Sequence, residues 1–212
     1  RLRAKGRETV DVLVRDFFRA FVSLVILFWL LALPGLFVKN IFLASIPPRL
    51  ATAMLLITSA YFISAPLLIL GRKTLRKMLF AMMVCLGVTF VAADFYFFNL
   101  SQIQINGEFF YYAPSQLTII RAFAGGISLL SALSSGIFFI LHGMRLASQE
   151  LKTRSLLLGS GFLFLSIGSV LNYIVFSMSF NSAALLAASA AGFLGMVLLG
   201  TGIIACHTSE EA

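Results

Sequence analysis

The sequence predicts an all-α polytopic membrane bundle of about six transmembrane helices, with an N-terminal amphipathic interfacial helix and a short outer β-hairpin between helices 3 and 4. The first observation is composition: 60% of the 212 residues are hydrophobic and only 11% are charged, whereas soluble proteins are roughly 45–50% apolar and about 25% charged. The second is a set of long apolar stretches, and the third is the collection of basic residues at one set of helix ends.

The apolar stretches define the predicted spans. Crossing about 30 Å of hydrocarbon takes roughly 20 apolar residues at about 1.5 Å per residue. The stretches that meet this length lie at about 17–38, 50–70, 78–98, 115–143, 155–178 and 182–206. Polar, basic or proline-containing segments separate them, such as Pro47-Pro48-Arg49 between the first two. With no linker or repeat to divide the chain, we expect one transmembrane domain over 20–206 and a cytoplasmic tail over 207–212.

The basic residues predict the orientation, because cytoplasmic loops retain an excess of Lys and Arg during insertion. With the N-terminus inside, only Lys39, Arg49 and Arg121 of the 16 basic residues fall on the outer side or at outer helix ends. We therefore expect a multi-pass protein of a prokaryotic inner or plasma membrane, with both termini in the cytoplasm.

The N-terminal segment 1–19 has its own pattern. Val10, Leu13, Val14, Phe17 and Phe18 recur at helical spacing, and charged residues occupy the opposite face. This pattern is typical of an amphipathic helix that lies in the membrane interface. We expect it to anchor the first span, and a docking surface for a cytoplasmic partner is the alternative.

The longest outer connection, about 101–112, predicts a β-hairpin. Polar and apolar residues alternate in segment 102–105, and the Asn106-Gly107 dipeptide that follows suits a type I′ turn. The hairpin either packs on the outer face of the bundle as a lid or recognises an external ligand or partner subunit. The candidate recognition residues are Glu108, Phe109, Phe110, Tyr111 and Tyr112.

Two charged residues lie within the predicted spans. Asp94 is near the outer end of the third span and Arg121 is at a similar depth in the fourth. Because a lone charge in hydrocarbon is costly, we expect an ion pair between them. Such a pair pins two helices together, or it forms part of a site for a proton, an ion or a charged headgroup.

The fourth span continues from Arg121 as a polar stripe, with Ser128 and Ser135 at seven-residue spacing. The fifth span has a weaker version that includes Tyr173, with Asn172 beside it. Small and hydroxyl-bearing residues allow close helix packing and interhelical hydrogen bonds. The stripes therefore indicate either packing or a polar pathway or ligand cavity, and these four residues join Asp94 and Arg121 as candidate ligand- or ion-binding residues.

The last span carries two rows of small residues at four-residue spacing, one through Ala184, Ala188 and Gly192 and the next ending at Gly195. Such rows are typical of a tightly packed helix or of a seam between subunits.

The sequence lacks the residues that several catalytic and cofactor-binding chemistries require. The chain has two histidines, His142 and His207, both predicted at inner membrane edges rather than as paired haem ligands within spans. Asp94 is the only aspartate predicted within the membrane, whereas an aspartyl protease needs two. Zinc and nucleotide-binding motifs are absent from the sequence. We expect no catalysis, no metal, no cofactor and no nucleic-acid partner.

Three functions remain from the sequence. The chain binds or translocates a small solute, ion or lipid, within a larger membrane assembly. Alternatively it is the transmembrane sensor module of a signalling protein, with ligand recognition on its outer face. The third interpretation is a structural subunit of a membrane complex. The expected partners are the lipid bilayer and other membrane subunits or further copies of the chain.

Overall fold

The computed structural model describes residues 2–37, 39–97, 102–106, 109–113, 118–171 and 182–204. Across these ranges the chain forms six α-helices, each long and apolar enough to cross a membrane. They are α1 (Leu2–Ala32), α2 (Ile41–Ile69), α3 (Lys73–Tyr96), α4 (Thr118–Met144), α5 (Gln149–Val170) and α6 (Ser182–Ile204). The predicted bundle of six apolar helices is confirmed, and it indicates a multi-pass membrane protein.

The first helix begins well before the predicted span. α1 runs without interruption from Leu2 to Ala32, and Asp16 and Phe17 are already buried inside the bundle. A 3₁₀ turn over Leu33–Phe37 follows, and it contains Pro34. Whether the start of α1 lies in a membrane interface stays a prediction.

The second helix begins earlier than the sequence indicated. Asn40 caps α2 because its side-chain oxygen accepts a hydrogen bond from the backbone N–H of Leu43 at 3.2 Å. Pro47 and Pro48 therefore lie inside α2, and the predicted break at these prolines is wrong. Prolines are tolerated in membrane helices, where neighbouring helices and Ser or Thr side chains satisfy freed backbone groups.

Two short strands lie between α3 and α4. β1 (Gln102–Asn106) pairs with β2 (Phe109–Ala113) in antiparallel register, and Asn106 is opposite Phe109. The two turn residues at 107–108 lie outside the described residues. The position of these strands on the outer face stays a prediction.

α2 is the central helix of the bundle. It packs against α1, α3 and α4, and 61% of its most apolar segment is buried, compared with 17% for α3. α3 is peripheral and approaches α2 closely at Gly87, where an added Cβ would lie 3.4 Å from the Cα of Ala53. The turn between them uses Gly71, whose φ of 72° lies in the left-handed region that favours glycine.

The second half of the bundle is packed through glycines on two faces of α5. Towards α4, a Cβ added at Gly159 would lie 2.9 Å from the carbonyl oxygen of Gly136. Towards α6, a Cβ added at Gly161 would lie 2.9 Å from the carbonyl oxygen of Gly195. The three helices α4, α5 and α6 thus approach one another at backbone contact distance. Their unit joins the α1–α3 unit mainly through α2 and α4.

Candidate functional site

A cavity of about 310 Å³ lies between the two halves of the bundle, bounded by α1, α2, α4, α5 and α6. Its volume is at the lower end of the range of about 300–1,000 Å³ that is common for small-molecule sites. Leucine, phenylalanine, alanine, glycine and methionine make up most of its lining, and none of the lining residues in the described ranges is ionisable. Such a lining is suited to an uncharged, largely apolar molecule.

Four aromatic rings close one end of this cavity. Phe62 lines it and contacts Phe162 edge-to-face, with ring centroids 4.8 Å apart. Phe139 stacks on Phe162 at 5.8 Å, and Phe17 lies 6.1 Å from Phe139. Phe17 is about two turns nearer the start of α1 than Leu24, the first lining residue of that helix. We call these four residues the aromatic floor, and it separates the cavity from the end of the bundle where α1 begins.

The cavity reaches the surface of the bundle between α1 and α6. Phe28 and Leu31 on α1 line the cavity and are each 41% exposed, and Phe193 on α6 lines it and is 64% exposed. In a bilayer these exposed apolar side chains are surrounded by lipid tails. The opening between α1 and α6 therefore lies on the exposed apolar side of the bundle that lipid tails would cover.

Four hydroxyl side chains interrupt the apolar lining, those of Thr58, Ser128, Ser169 and Ser189. The Thr58 hydroxyl lies 3.0 Å from the hydroxyl of Ser23 and 2.8 Å from the carbonyl oxygen of Met54. Ser128 is 6% exposed, and within the described ranges its hydroxyl makes no hydrogen bond to the protein. A hydroxyl in this state, on a largely buried side chain that lines the cavity, favours a polar atom of a ligand as its partner.

The predicted polar stripe of α4 divides into two parts. Ser128 and Ala132 line the cavity. Ser135 is fully buried and donates a hydrogen bond to the carbonyl oxygen of Phe62 at 3.0 Å, which fastens α4 to α2. Of the two serines predicted to bind a ligand, the structure therefore places Ser128 at the cavity and Ser135 in a helix contact.

The small residues of α6 also fall into two groups, one that lines the cavity and one that packs against α5. Ala188 and Gly192 line the cavity, and a Cβ added at Gly192 would meet nothing within 4 Å. Gly195 lies instead against Gly161 of α5. The side chain of Ala184 is outside the described part of the chain.

Asp94 lies away from the cavity, at the contact between α3 and α2. Its side chain is 2% exposed, and Arg49 of α2 donates a hydrogen bond from Nε to its backbone carbonyl at 3.4 Å. Arg49 is itself buried, donates to the carbonyl of Ser45, and lies 6.0 Å from the centroid of the Phe95 ring. Sequence reasoning missed this role because it placed Arg49 in a loop.

The predicted ion pair between Asp94 and Arg121 stays a prediction, since the Arg121 side chain lies outside the described residues. The same holds for Asn172 and Tyr173, and for the side chains of hairpin residues 108–112.

A second buried charge was missed from the sequence. Asp16 of α1 is 2% exposed and accepts hydrogen bonds from the hydroxyl of Ser64 on α2 at 3.0 Å and from Nη2 of Arg76 on α3 at 2.5 Å. Arg76 also donates to Ser64 through Nε. We call these three residues the Asp16 network. The signal for it was an aspartate inside a long apolar segment, Val12–Phe37.

No group of three or more His, Cys, Asp or Glu residues that could hold a metal ion occurs in the described ranges. Comparisons with known protein families, with characterised proteins and with solved structures found no match. The cavity and the two buried charge clusters are therefore the features from which a function can be inferred.

Proposed function

We propose that this chain is a non-catalytic integral membrane protein that binds an apolar small molecule dissolved in the bilayer. The cavity between the two halves of the bundle is the observation that carries this proposal. None of the described residues that line it is ionisable, so a hydrated ion or a charged solute would lose its water there without gaining a counter-charge from them. An apolar molecule has no comparable hydration to lose, and it gains contacts with packed side chains.

The access route supports the same ligand class. The cavity meets the surface between α1 and α6, at Phe28 and Phe193, which are exposed on helices that cross the membrane. A molecule already dissolved in the hydrocarbon reaches this opening without crossing an aqueous phase. The aromatic floor closes the end of the cavity nearest the start of α1. This closed end favours a site that retains its ligand over a continuous path across the bundle.

The basic end of the bundle supports the proposed orientation. Arg15, Arg72, Lys73 and Lys77 are exposed, and the Asp16 network holds their helices together at one end. Arg145 is exposed after α4, which ends on the same side as α2 if successive helices cross in opposite directions. By the positive-inside rule, this end faces the cytoplasm. The cavity then lies in the outer half and middle of the bundle.

This function can be tested by filling the cavity with a larger side chain on one of its walls. Gly192→Leu places a leucine side chain at a lining residue where an added Cβ meets nothing within 4 Å, whereas Ala187→Leu places the same side chain at an exposed position of the same helix that does not line the cavity. Each protein is purified in mild detergent from native membrane, and bound small molecules are extracted and identified by mass spectrometry.

We expect a molecule that copurifies with the wild type and with Ala187→Leu at near-equal amounts and is lost from Gly192→Leu. If the wild type holds no molecule above the level of an unrelated membrane protein, or if Gly192→Leu retains it, the cavity is not a binding site.

A further inference from the structure

The hydroxyl groups that line the cavity indicate which polar group its ligand has. Ser128 is more than nine-tenths buried, lines the cavity and has no hydrogen-bond partner in the described part of the protein. Buried hydroxyls are satisfied by protein, water or ligand in the great majority of proteins. Since the cavity opens to hydrocarbon rather than to water, a ligand atom is the partner that this position favours.

Thr58 adds a second polar position. Its one proton is directed to Ser23 or to the carbonyl of Met54, and Ser23 donates its own proton to the carbonyl of Ala20 at 2.9 Å. The Thr58 oxygen therefore has acceptor capacity left on a side chain that lines the cavity. The lining thus offers a free donor and acceptor at Ser128 and an acceptor at Thr58.

Among the described residues, no charged side chain lines the cavity. Asp16 is engaged by Ser64 and Arg76, and Arg49 is engaged by backbone carbonyls at the contact with α3. Neither residue lines the cavity. An ionised headgroup would therefore be desolvated without an opposite charge, whereas an uncharged oxygen would find the hydroxyls that it needs.

We propose that the cavity takes a neutral lipid-like molecule whose polar end is an uncharged oxygen group hydrogen-bonded to Ser128. A hydroxyl, an ester or a quinone carbonyl has this chemistry. The hydrocarbon body fills the apolar lining and leaves between Phe28 and Phe193 into the bilayer. This inference rests on the proposed function and specifies the chemistry of its ligand.

The experiment measures saturable photolabelling of the full chain in lipid nanodiscs by a long-chain fatty alcohol that carries a diazirine. The unlabelled competitors share one chain length and differ at the head: the alcohol, a permanently anionic alkyl sulfonate and a permanently cationic alkyl trimethylammonium. Two further competitors, a monoacylglycerol and an isoprenoid quinone, distinguish the sources of an uncharged oxygen. Ser128→Ala is compared with Ser134→Ala, an exposed serine of the same helix that does not line the cavity.

We expect competition by the alcohol and by one or both of the uncharged lipids, and little competition by either ion. Ser128→Ala should lower the affinity for the alcohol about fivefold, which is the effect of one lost neutral hydrogen bond. Ser134→Ala should leave this affinity unchanged. Competition by the alcohol alone would assign the site to simple hydroxyl lipids. Reversible unfolding in SDS checks that Ser128→Ala folds normally, as expected for a hydroxyl without a protein partner.

The two proposals fail in different ways. Equal competition by an ionic amphiphile, or an affinity for the alcohol that changes less than about twofold in Ser128→Ala, overturns the neutral-oxygen inference and leaves the binding function standing. Labelling that is not saturable in the wild type, or that survives Gly192→Leu unchanged, removes the binding function itself.

Discussion

Replacing Asp16 by asparagine removes the negative charge from a buried network that joins α1, α2 and α3. The carboxylate is 2% exposed and accepts hydrogen bonds from Ser64 and Arg76, so water does not replace the lost charge. Arg76 is 24% exposed and keeps part of its hydration. The variant preserves the shape of the side chain, so the measured effect reports on charge and hydrogen bonding rather than on a cavity.

The expected magnitude follows from the geometry. Two unit charges about 4 Å apart interact by about 4 kcal/mol at an effective dielectric constant of about 20. Partial exposure of the Arg76 guanidinium reduces this to roughly half, or about 2 kcal/mol. Hydrogen bonds to a charged acceptor are worth about 1 kcal/mol more than neutral ones. We therefore expect Asp16→Asn to lower the free energy of unfolding by about 3 kcal/mol.

The assay is reversible unfolding by SDS in mixed micelles, with a double-mutant cycle of Asp16→Asn and Arg76→Gln. The cycle should give a coupling energy of about 2 kcal/mol. Glu150→Gln is the matched control, because this carboxylate is 58% exposed and pairs with Arg154 one turn away on the same helix. It should cost about 0.5 kcal/mol. A loss below about 1 kcal/mol for Asp16→Asn, or additive single variants, would refute the assignment of the Asp16 network as a stabilising contact.

Three further outcomes are expected. Gly161→Ala should destabilise the bundle by about 1–3 kcal/mol in SDS unfolding, because the new Cβ would lie 2.9 Å from a backbone carbonyl of α6. Gly126→Ala, where a Cβ meets nothing within 4 Å, should be neutral or stabilising, and equal effects would contradict this packing. Ser135→Ala should cost about 1 kcal/mol by the same assay, through loss of the α4–α2 hydrogen bond, and an unchanged stability would rule out that role. In a chain without native cysteines, Lys39→Cys should react with an impermeant maleimide on intact cells and Lys73→Cys only after permeabilisation, and the reverse pattern would invert the proposed orientation.

The helical class could be predicted from the sequence because it depends on local composition. An apolar stretch must be long enough to cross hydrocarbon whatever its neighbours are, so all six spans were found. The start of α2 could not be found in this way. Proline weakens a helix locally, but the cap at Asn40 and the packing of the second helix against its neighbours determine where that helix begins.

The candidate site was only partly predictable, because it depends on distances between segments far apart in sequence. The seven-residue spacing of Ser128 and Ser135 placed both on one helix face, but that spacing does not distinguish a cavity wall from a helix contact. Arg49 and Asp94 are separated by 45 positions, and no periodicity links them. The cavity itself is a volume that five helices leave between them, which no single segment encodes.

The glycine faces of α5 have a consequence for biosynthesis. The candidate membrane span of α5 has the lowest mean hydropathy of the six spans, and its glycines lie against backbone atoms on both sides, of α4 before it and α6 after it. When α5 leaves the ribosome, only the first of these neighbours has been made. The helix therefore reaches its full stability in the bilayer only after α6 follows. A nascent chain that stalls between them exposes a weakly hydrophobic span to the quality-control proteases of the membrane.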